Sequence, residues 1–201
     1  EQFVQQQFQG QLTPTLQQQI AANREWLGAI AQQMQQAETQ DGLFTMIVGE
    51  IRNQLRVDRV VVFNFDTDNQ GTVVAESIAS GWTPMQGEAL PAILFGAENA
   101  REYKRRQIVT LYNQNSERVF AYQRQLLDRF QLAASLAIPL VLNEQIQGLL
   151  IVQQCQQPRL WQEPDIYLLT DIAAKLSLAL QFVQFKGQLK QVAAREQAIG
   201  K

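Results

Sequence analysis

Two stretches of strand-like sequence each turn back on themselves, and this pattern constrains the fold more than any other feature. In residues 58–66, DRVVVFNFD, alternate side chains fall on opposite faces, and residues 72–79, TVVAESIA, return after the turn TDNQG. Residues 132–142 and 145–154 flank a two-residue turn in the same way. Because so short a connection joins only antiparallel strands, the sequence predicts an antiparallel sheet built from two hairpins.

Helices precede, separate and follow the hairpins. The predicted order is two helices, a hairpin, a loop region with short helices, a helix over residues 117–130, the second hairpin and a long helix ending near Ile199. This order predicts an α+β fold, with terminal helices on one face of a central antiparallel sheet and a loop and short-helix pocket on the other. We divide the chain into an N-terminal linker helix (1–40), a central domain (41–180) and a C-terminal helix (181–201).

The terminal helices carry apolar residues that are spaced alternately four and three residues apart. The first series is Leu16, Ile20, Asn23, Leu27, Ile30, Met34 and Ala37, and the second is Leu169, Ala173, Leu176, Leu180 and Val183. This spacing is typical of a coiled-coil seam, in which a buried Asn fixes the register. It predicts a homodimer through the terminal helices. The alternative is that the same residues cover the domain's own sheet.

Composition excludes several classes of function. The 201 residues carry a net charge of −2 and contain no histidine, so a Ser-His-Asp or Cys-His centre cannot form. No phosphate-binding loop, dinucleotide fingerprint or zinc-ligand spacing is present. We therefore expect neither an enzyme nor a metal site, and the charge gives no reason to expect a nucleic-acid partner.

The sequence also indicates a cellular setting. No uninterrupted apolar run reaches the ~18 residues of a membrane span, and no signal peptide is visible. The one cysteine cannot form an internal disulfide, which agrees with a reducing compartment. The chain begins at Glu1 rather than methionine, which indicates a segment of something longer. We expect a cytoplasmic domain without direct membrane contact, either in a free protein or in a membrane-anchored receptor.

Aromatic residues are concentrated in the middle of the chain, where the strand pattern gives way to loops and short helices. Trp82, Phe95, Tyr103 and Tyr122 are candidates for lining a small-ligand pocket over one sheet face. The alternative, favoured for any one of them, is that these side chains fill a core.

Four stretches in order resemble the GAF domains of cyanobacteriochromes, the phytochrome-like photoreceptors of cyanobacteria. They are DRVVVFNFDTDNQGTVVAES, FGAENAREY, YQRQLLDRFQLAASLAIPLVLNEQIQGLLIVQQC and QPRLW, and the resemblance runs from about Gly42 to Leu180. It implies a sheet with helices on one face and a ligand pocket on the other. It also implies a place in tandem with other GAF domains and an output domain in one chain, and dimers linked by parallel terminal helices.

The resemblance implies that the positions which bind a bilin are altered in this chain. The family attaches its linear tetrapyrrole through a cysteine followed by histidine, and these positions hold Tyr122 and Gln123. The aspartate and cysteine of a second motif fall on Ala92 and Leu94 in AILF, and a strand histidine falls on Gln153. Tyrosine cannot form the thioether, so we expect no covalent bilin and name no cofactor.

Cys155 matches a scaffold position of the family rather than the position that holds the chromophore. Pro139, Gly148, Pro158, Arg159 and Trp161 are retained scaffold positions as well. We expect Cys155 to be a small buried apolar group rather than a redox centre.

These observations together predict a non-catalytic sensory or signal-relay domain of a cyanobacterial receptor. The resemblance implies a chemotaxis-type receptor, with a role in phototaxis, or a histidine kinase. The alternative is a sensor that holds another small ligand, or a bilin, noncovalently in its pocket. An enzyme is a third and weaker interpretation.

Overall fold

The structure is a computed structural model that describes residues 14–67, 69–95, 109–111 and 121–199. The helices are α1 (Pro14–Gln36), α2 (Gln40–Leu55), α3 (Ala121–Arg129) and α4 (Glu163–Ile199). The strands are β1 (Arg59–Phe65), β2 (Gln70–Ile78), β3 (Ala89–Pro91), β4 (Val109–Leu111), β5 (Ala134–Leu142) and β6 (Gln145–Gln154), and a 3₁₀ helix spans Ala92–Phe95. The predicted α+β order is confirmed, and β3 is a short strand within the region predicted as loop.

The strands form one antiparallel sheet in the order β3-β2-β1-β6-β5-β4. Both predicted hairpins are present, as β1–β2 and β5–β6, and they join where β1 pairs with β6. Gly148 lies at this junction, where a Cβ atom would collide with the carbonyl oxygen of Phe63. Because the hairpins join in the centre, each sheet face carries side chains from both of them.

Three helices cover one face of the sheet, as the sequence predicts. Val60 and Val62 of β1 point to this face, whereas Val61 and Phe63 point to the other. The helices contribute Ile30 and Met34 of α1, Phe44, Ile47 and Ile51 of α2, and Leu169, Ile172 and Leu176 of α4 to a single buried cluster. This cluster is the larger of the two apolar cores.

Contacts at the helix ends give the directions of the three helices. Asn23 Oδ1 in α1 accepts a hydrogen bond from Gln54 Nε2 near the end of α2. Arg159, just before α4, donates to the carbonyl oxygen of Leu55, also at the end of α2. Helices α1 and α4 therefore both approach the C-terminal end of α2, and they run parallel to each other. The chain enters the helix layer at one end and leaves it at the opposite end.

The seam predicted in the first helix packs within the domain wherever its side chains are described. Ile30 and Met34 are 1% and 2% exposed, and Leu27 and Ala37 pack against the same core. Asn23 pairs with Gln54 of its own chain rather than with an asparagine of a second copy. The prediction of a dimer seam is therefore wrong for the part from Leu27 to Ala37, which packs in the core with α2 and α4, whereas the side chains of Leu16 and Ile20 lie outside the described ones.

The seam predicted in the last helix is also wrong as a dimer surface. Its five residues, Leu169, Ala173, Leu176, Leu180 and Val183, are all buried in the domain core. Helix α4 packs over β5, and the four-and-three spacing places one continuous apolar stripe on that strand. The alternative interpretation, in which both series cover the domain's own sheet, agrees with the structure.

Helix α4 has the predicted length, but it is more apolar than the sequence analysis allowed for. Residues 163–196 contain an 18-residue window that is long and apolar enough to cross a membrane by composition, although half of that window is buried inside the domain. The prediction missed it because single polar residues such as Asp171, Lys175 and Gln181 interrupt the apolar runs while leaving the mean hydropathy high. Packing against the sheet explains the buried half of the window.

Candidate functional site

The second face of the sheet carries a separate apolar core. Val61 and Phe63 of β1 and Leu149 and Ile151 of β6 form its floor. Met85, Leu90, Leu94, Phe95, Leu127, Phe130, Leu132 and Cys155 pack against that floor from the loops, the 3₁₀ helix, α3 and the end of β6. The resemblance places a ligand pocket on this face, so the candidate residues are compared with it.

The predicted pocket-lining aromatics do not share one environment. Phe95 is fully buried, with its ring centroid 4.9 Å from that of Phe63 in an edge-to-face contact, so it fills the core. Trp82 is partly buried and packs against the same cluster. Tyr103 lies outside the described residues. Tyr122 lies near the start of α3, but its side chain is not described.

The positions aligned with the bilin-binding motifs fall on the same side of the sheet. Ala92 and Leu94 lie in the 3₁₀ helix and are fully buried, and the Ala92 N–H donates to the carbonyl oxygen of Asn69 at 2.9 Å. Gln123 follows Tyr122 near the start of α3, whose Leu127 is part of the apolar core. The two motif positions in the 3₁₀ helix thus present apolar side chains in place of a carboxylate and a thiol.

A row of buried polar side chains crosses this face of the sheet. Ser135 of β5, Gln153 of β6 and Arg59 of β1 are neighbours in the strand register. Gln153 Oε1 accepts a hydrogen bond from Arg59 Nη1 at 3.2 Å. Among the side chains that the structure describes, Ser135 Oγ and Gln153 Nε2 are buried without a hydrogen-bond partner. Each such unpaired group costs about 1–3 kcal/mol, so a partner for these two atoms would stabilise the fold.

Arg59 forms a buried ion pair with Glu76 of β2. The two side chains are 0% and 3% exposed, and Arg59 Nε lies 2.9 Å from Glu76 Oε1, an ion pair by distance rather than an aligned hydrogen bond. Arg59 also donates to the carbonyl oxygens of Phe130 and Thr83 at 3.1 and 2.6 Å. The Glu76 carboxylate accepts from the backbone N–H of Met85 at 2.9 Å. One guanidinium therefore joins β1 to β2, β6, the segment before β3 and the end of α3.

The sequence analysis missed this ion pair. Arg59 opens the apolar stretch VVVF, and Glu76 lies within VVAES, which predicts strands but does not show that two charges meet. The sequence did contain one signal of the ion pair, a charged residue next to a run of valines that were predicted to be buried. A charge in such a place is rarely buried without a partner of opposite charge.

Cys155 lies at the end of β6, at the edge of the same core. It is 6% exposed, and its backbone N–H donates to Asp58 Oδ2 at 2.8 Å. Burial raises the pKa of its thiol to about 11, although the Arg59 charge lowers it and the charges of Asp58 and Glu76 raise it further. The thiol therefore stays protonated at neutral pH, in agreement with a small buried apolar group.

The described side chains of this face are apolar apart from the buried polar row and its ion pair. No group of three or more His, Cys, Asp or Glu side chains among the described residues could hold a metal ion. Ser135 Oγ and Gln153 Nε2 are buried without a hydrogen-bond partner among the described residues, and Arg59 Nε has only its ion-pair contact with Glu76. Unpaired buried groups of this kind can form hydrogen bonds with a bound molecule.

Comparison with known proteins gives the class of this fold. The family model of the GAF domain matches residues 40–180, which is most of the chain. The PixJ GAF domain of Thermosynechococcus elongatus, solved in its blue-light absorbing form, is 31% identical with a TM-score of 0.67 over 77% of this chain and 90% of that one. A phycocyanobilin-bound GAF domain from a cyanobacterial phytochrome shares the fold, with a TM-score of 0.70 at 19% identity over 82% of this chain and 96% of that one. The chain belongs to the GAF domain family.

The curated relatives are signalling proteins of cyanobacteria. A putative methyl-accepting chemotaxis protein of Synechocystis is 30% identical over 74% of this chain, and the circadian input-output histidine kinase CikA of Thermosynechococcus vestitus is 25% identical over 85%. The matched regions span only 15% and 24% of these relatives. The chain is therefore a GAF sensory domain similar to single domains within chemotaxis-like and histidine kinase proteins.

Removing the acid of the buried ion pair should strongly destabilise the domain. Glu76→Ala leaves the Arg59 guanidinium buried without its counter-charge, which should lower the free energy of unfolding by about 3–5 kcal/mol. Glu88→Ala is the matched control, since it breaks an exposed pair with Arg129 at 2.8 Å and should cost less than about 1 kcal/mol. Urea unfolding followed by circular dichroism measures both. Equal losses would contradict the role given to the buried pair.

The thiol of Cys155 should react slowly in the folded protein. At pH 8 a pKa of about 11 leaves little thiolate. Reaction with a chromogenic disulfide should therefore be at least about a hundredfold slower than in urea-unfolded protein. The rate should rise as the pH approaches 11. The variant Gln156→Cys supplies an exposed second thiol that should react at once. Rapid reaction of two thiols in that folded variant would contradict the assignment.

Proposed function

We propose that this domain relays a signal within a cyanobacterial multidomain receptor and carries no covalently attached bilin. The observation that carries the proposal is the loss of the attachment chemistry on a retained scaffold. Tyr122 and Gln123 stand where the cysteine and histidine are expected, and Ala92 and Leu94 are fully buried apolar residues at the second motif. These residue identities support a domain without a thioether-linked tetrapyrrole.

The path of the chain through the helix layer supports a relay role. Helices α1 and α4 run parallel, so a displacement of the entering helix acts on the leaving helix through their shared contacts. Lys190 of α4 lies 3.7 Å from Glu38 after α1, and both Met34 and Leu176 belong to the core that the two helices share. We divide the chain as a linker helix (1–40), the GAF domain (41–180) and a signalling helix (181–201). In packed helices that can adopt two arrangements, such a displacement acts as a switch.

The similarity to chemotaxis-like and histidine kinase proteins supports the receptor context. We place the domain in the cytoplasm, beside further GAF domains and an output domain of the same chain, without catalytic activity of its own. A role in phototaxis would follow if a neighbouring domain is the light sensor. The chain covers a small part of its relatives, so these assignments concern the longer protein and form part of the proposal.

A second function is favoured by the two unpaired polar atoms. Ser135 Oγ and Gln153 Nε2 are buried side by side in the strand register, on the face where the resemblance places a ligand. A noncovalent ligand with a hydrogen-bond acceptor would pair with the Gln153 amide and recover the cost of its burial. This sensor of another small molecule, or of an unattached bilin, is the alternative to pure relay.

Co-expression with the enzymes of phycocyanobilin synthesis separates these functions. We expect no zinc-induced fluorescence at the mass of this protein on a denaturing gel, because Tyr122 cannot form a thioether. Mass spectrometry of the molecules released on denaturation then distinguishes relay, with nothing released, from noncovalent binding. A PixJ GAF domain expressed in parallel is the positive control. A fluorescent band from this chain would overturn the proposal and direct attention to Cys155.

The relay role also predicts a dimer joined through the terminal helices. Sedimentation velocity should give the mass of a dimer at tens of micromolar protein, because the parallel helices must be paired for a displacement to be transmitted between subunits. Dilution below the dissociation constant should yield a folded monomer with the same circular dichroism spectrum. A parent protein that stays monomeric throughout this range would contradict the dimer.

A further inference from the structure

Helix α4 carries a second apolar stripe that the domain core does not cover. It consists of Leu178, Phe182, Phe185, Leu189 and Val192, each between 54% and 68% exposed. These residues, called the outer stripe, are spaced four, three, four and three apart, like the seam of a coiled coil. The sequence analysis did not select them, because the buried series on the same helix has the same spacing.

The outer stripe extends beyond the part of α4 that packs on the domain. Val183 is the last buried residue of the helix, and the described side chains after it are exposed or half-buried. Five large side chains more than half exposed amount to roughly 500 Å² of apolar surface. Two such surfaces together reach about 1,000 Å², the lower limit of a specific protein interface. A stripe of this size on a soluble domain marks an interaction surface.

We propose that the outer stripe binds the outer stripe of a second copy of this chain, with the two α4 helices parallel and in register. The inference rests on the dimer of the proposed function, and it names the surface that forms this dimer. The outer stripe is thus the proposed dimer surface, in place of the two series that the sequence analysis predicted for this role.

A groove at the start of the stripe has the shape that such a partner requires. Its cavity volume is about 470 Å³, and its lining from α4 is Lys175, Leu178, Ala179 and Phe182. Residues spaced 0, 3, 4 and 7 along a helix form the four-sided hole that receives one side chain of a facing coiled-coil helix. In a parallel pair in register, the side chain at this level is Leu178 of the partner subunit.

Helix α1 forms the other wall of the groove. Ala31, Met34 and Gln35 line it, and the small side chain of Ala31 leaves the space open. The incoming leucine therefore contacts the entering helix as well as the leaving helix. Because the leucine contacts both helices, the affinity of the dimer depends on the relative position of α1 and α4.

The flanking charges agree with a parallel pair. In parallel coiled coils, the residue before one core position faces the residue after the next core position of the other helix. This rule pairs Gln181 with the Lys186 of the partner subunit, and Gln188 with Ala193 of the partner subunit. Neither pair brings like charges together, and Lys175, which faces its own copy at the core position before Leu178, is paired with Asp171 of its own chain at 2.8 Å. Lys186 already lies over the Phe182 ring at 4.8 Å from its centroid, so its stem shields the edge of the stripe.

Charge placed on the outer stripe tests the surface. Phe185→Glu with Leu189→Glu puts four carboxylates into the interface, which should raise the dimer dissociation constant at least about a hundredfold. Gln184→Glu with Gln191→Glu is the matched control, because it adds the same charge to exposed positions beside the stripe. This control should stay within about threefold of the parent. Both variants should keep the parent's unfolding temperature when all are measured below the dissociation constant, since these side chains are exposed in the monomer.

Cross-linking tests the direction of the helices. Phe185→Cys should form an interchain disulfide under mild oxidation, because parallel pairing in register brings the two Cβ atoms within bonding range. Gln184→Cys should not form one efficiently. The native Cys155 is buried and does not compete. A stable dimer in which Phe185→Cys fails to cross-link would overturn the parallel arrangement.

Filling the groove tests the contact with α1. Ala31→Phe occupies the space meant for the partner's Leu178, so it should weaken the dimer about tenfold. Ala29→Phe adds the same side chain to an exposed position of α1 and should have no comparable effect. Equal affinities for the two variants would overturn the groove contact.

The outcomes separate this inference from the proposed function. A parent dimer that tolerates both charges on the outer stripe would overturn the inference and leave the dimer of the proposed function intact. A monomeric parent would contradict that dimer itself. A monomeric parent that floats with vesicles of phosphatidylglycerol would show that the outer stripe binds a lipid surface, and would overturn the inference as well.

Discussion

The buried pair of Arg59 and Glu76 is the interaction on which the ligand-side half of the domain depends. Its guanidinium reaches the carbonyl oxygens of Phe130 and Thr83, and its carboxylate holds the backbone of Met85. Segments far apart in the chain are thus held at one point on the sheet. A charge pair of this kind contributes little net stability compared with apolar packing, but it penalises any arrangement that separates the two groups. The segments over the sheet are therefore held in one defined conformation although their backbone is irregular.

The two faces of the sheet differ in what covers them and in the polarity of their buried side chains. The helix face is closed by a continuous apolar core, and α4 continues past Val183, its last buried residue among the described side chains. The opposite face has a smaller apolar core and a row of polar atoms, of which Ser135 Oγ and Gln153 Nε2 lack partners among the described residues. In the proposed function, a change on the second face would be separated from the helices by one layer of strands. Strand β5, which packs under α4, would carry such a change to that helix.

Helix α4 shows why one spacing can serve two surfaces. Its buried stripe and its outer stripe both repeat in steps of four and three, and they lie on different sides of the same helix. The first side packs on β5 and the helix core. The second remains available to a partner over a region that extends past Val183. A helix that is apolar on two sides couples the domain to whatever binds the outer surface.

The sequence by itself determined the two hairpins, the helices and the family, because alternation, spacing and turn residues are local signals. The proposal that Tyr122 and Gln123 replace attachment residues likewise comes from the sequence, because it depends on residue identity alone. Only the tertiary structure decided which apolar series are core, because the spacing is the same for Leu176 and Leu178 and only packing against the sheet distinguishes them. The meeting of Arg59 with Glu76 was likewise decided by strand register, since a bulge and a turn set which side chains face each other. Long-range pairing of this kind leaves no local pattern in the sequence.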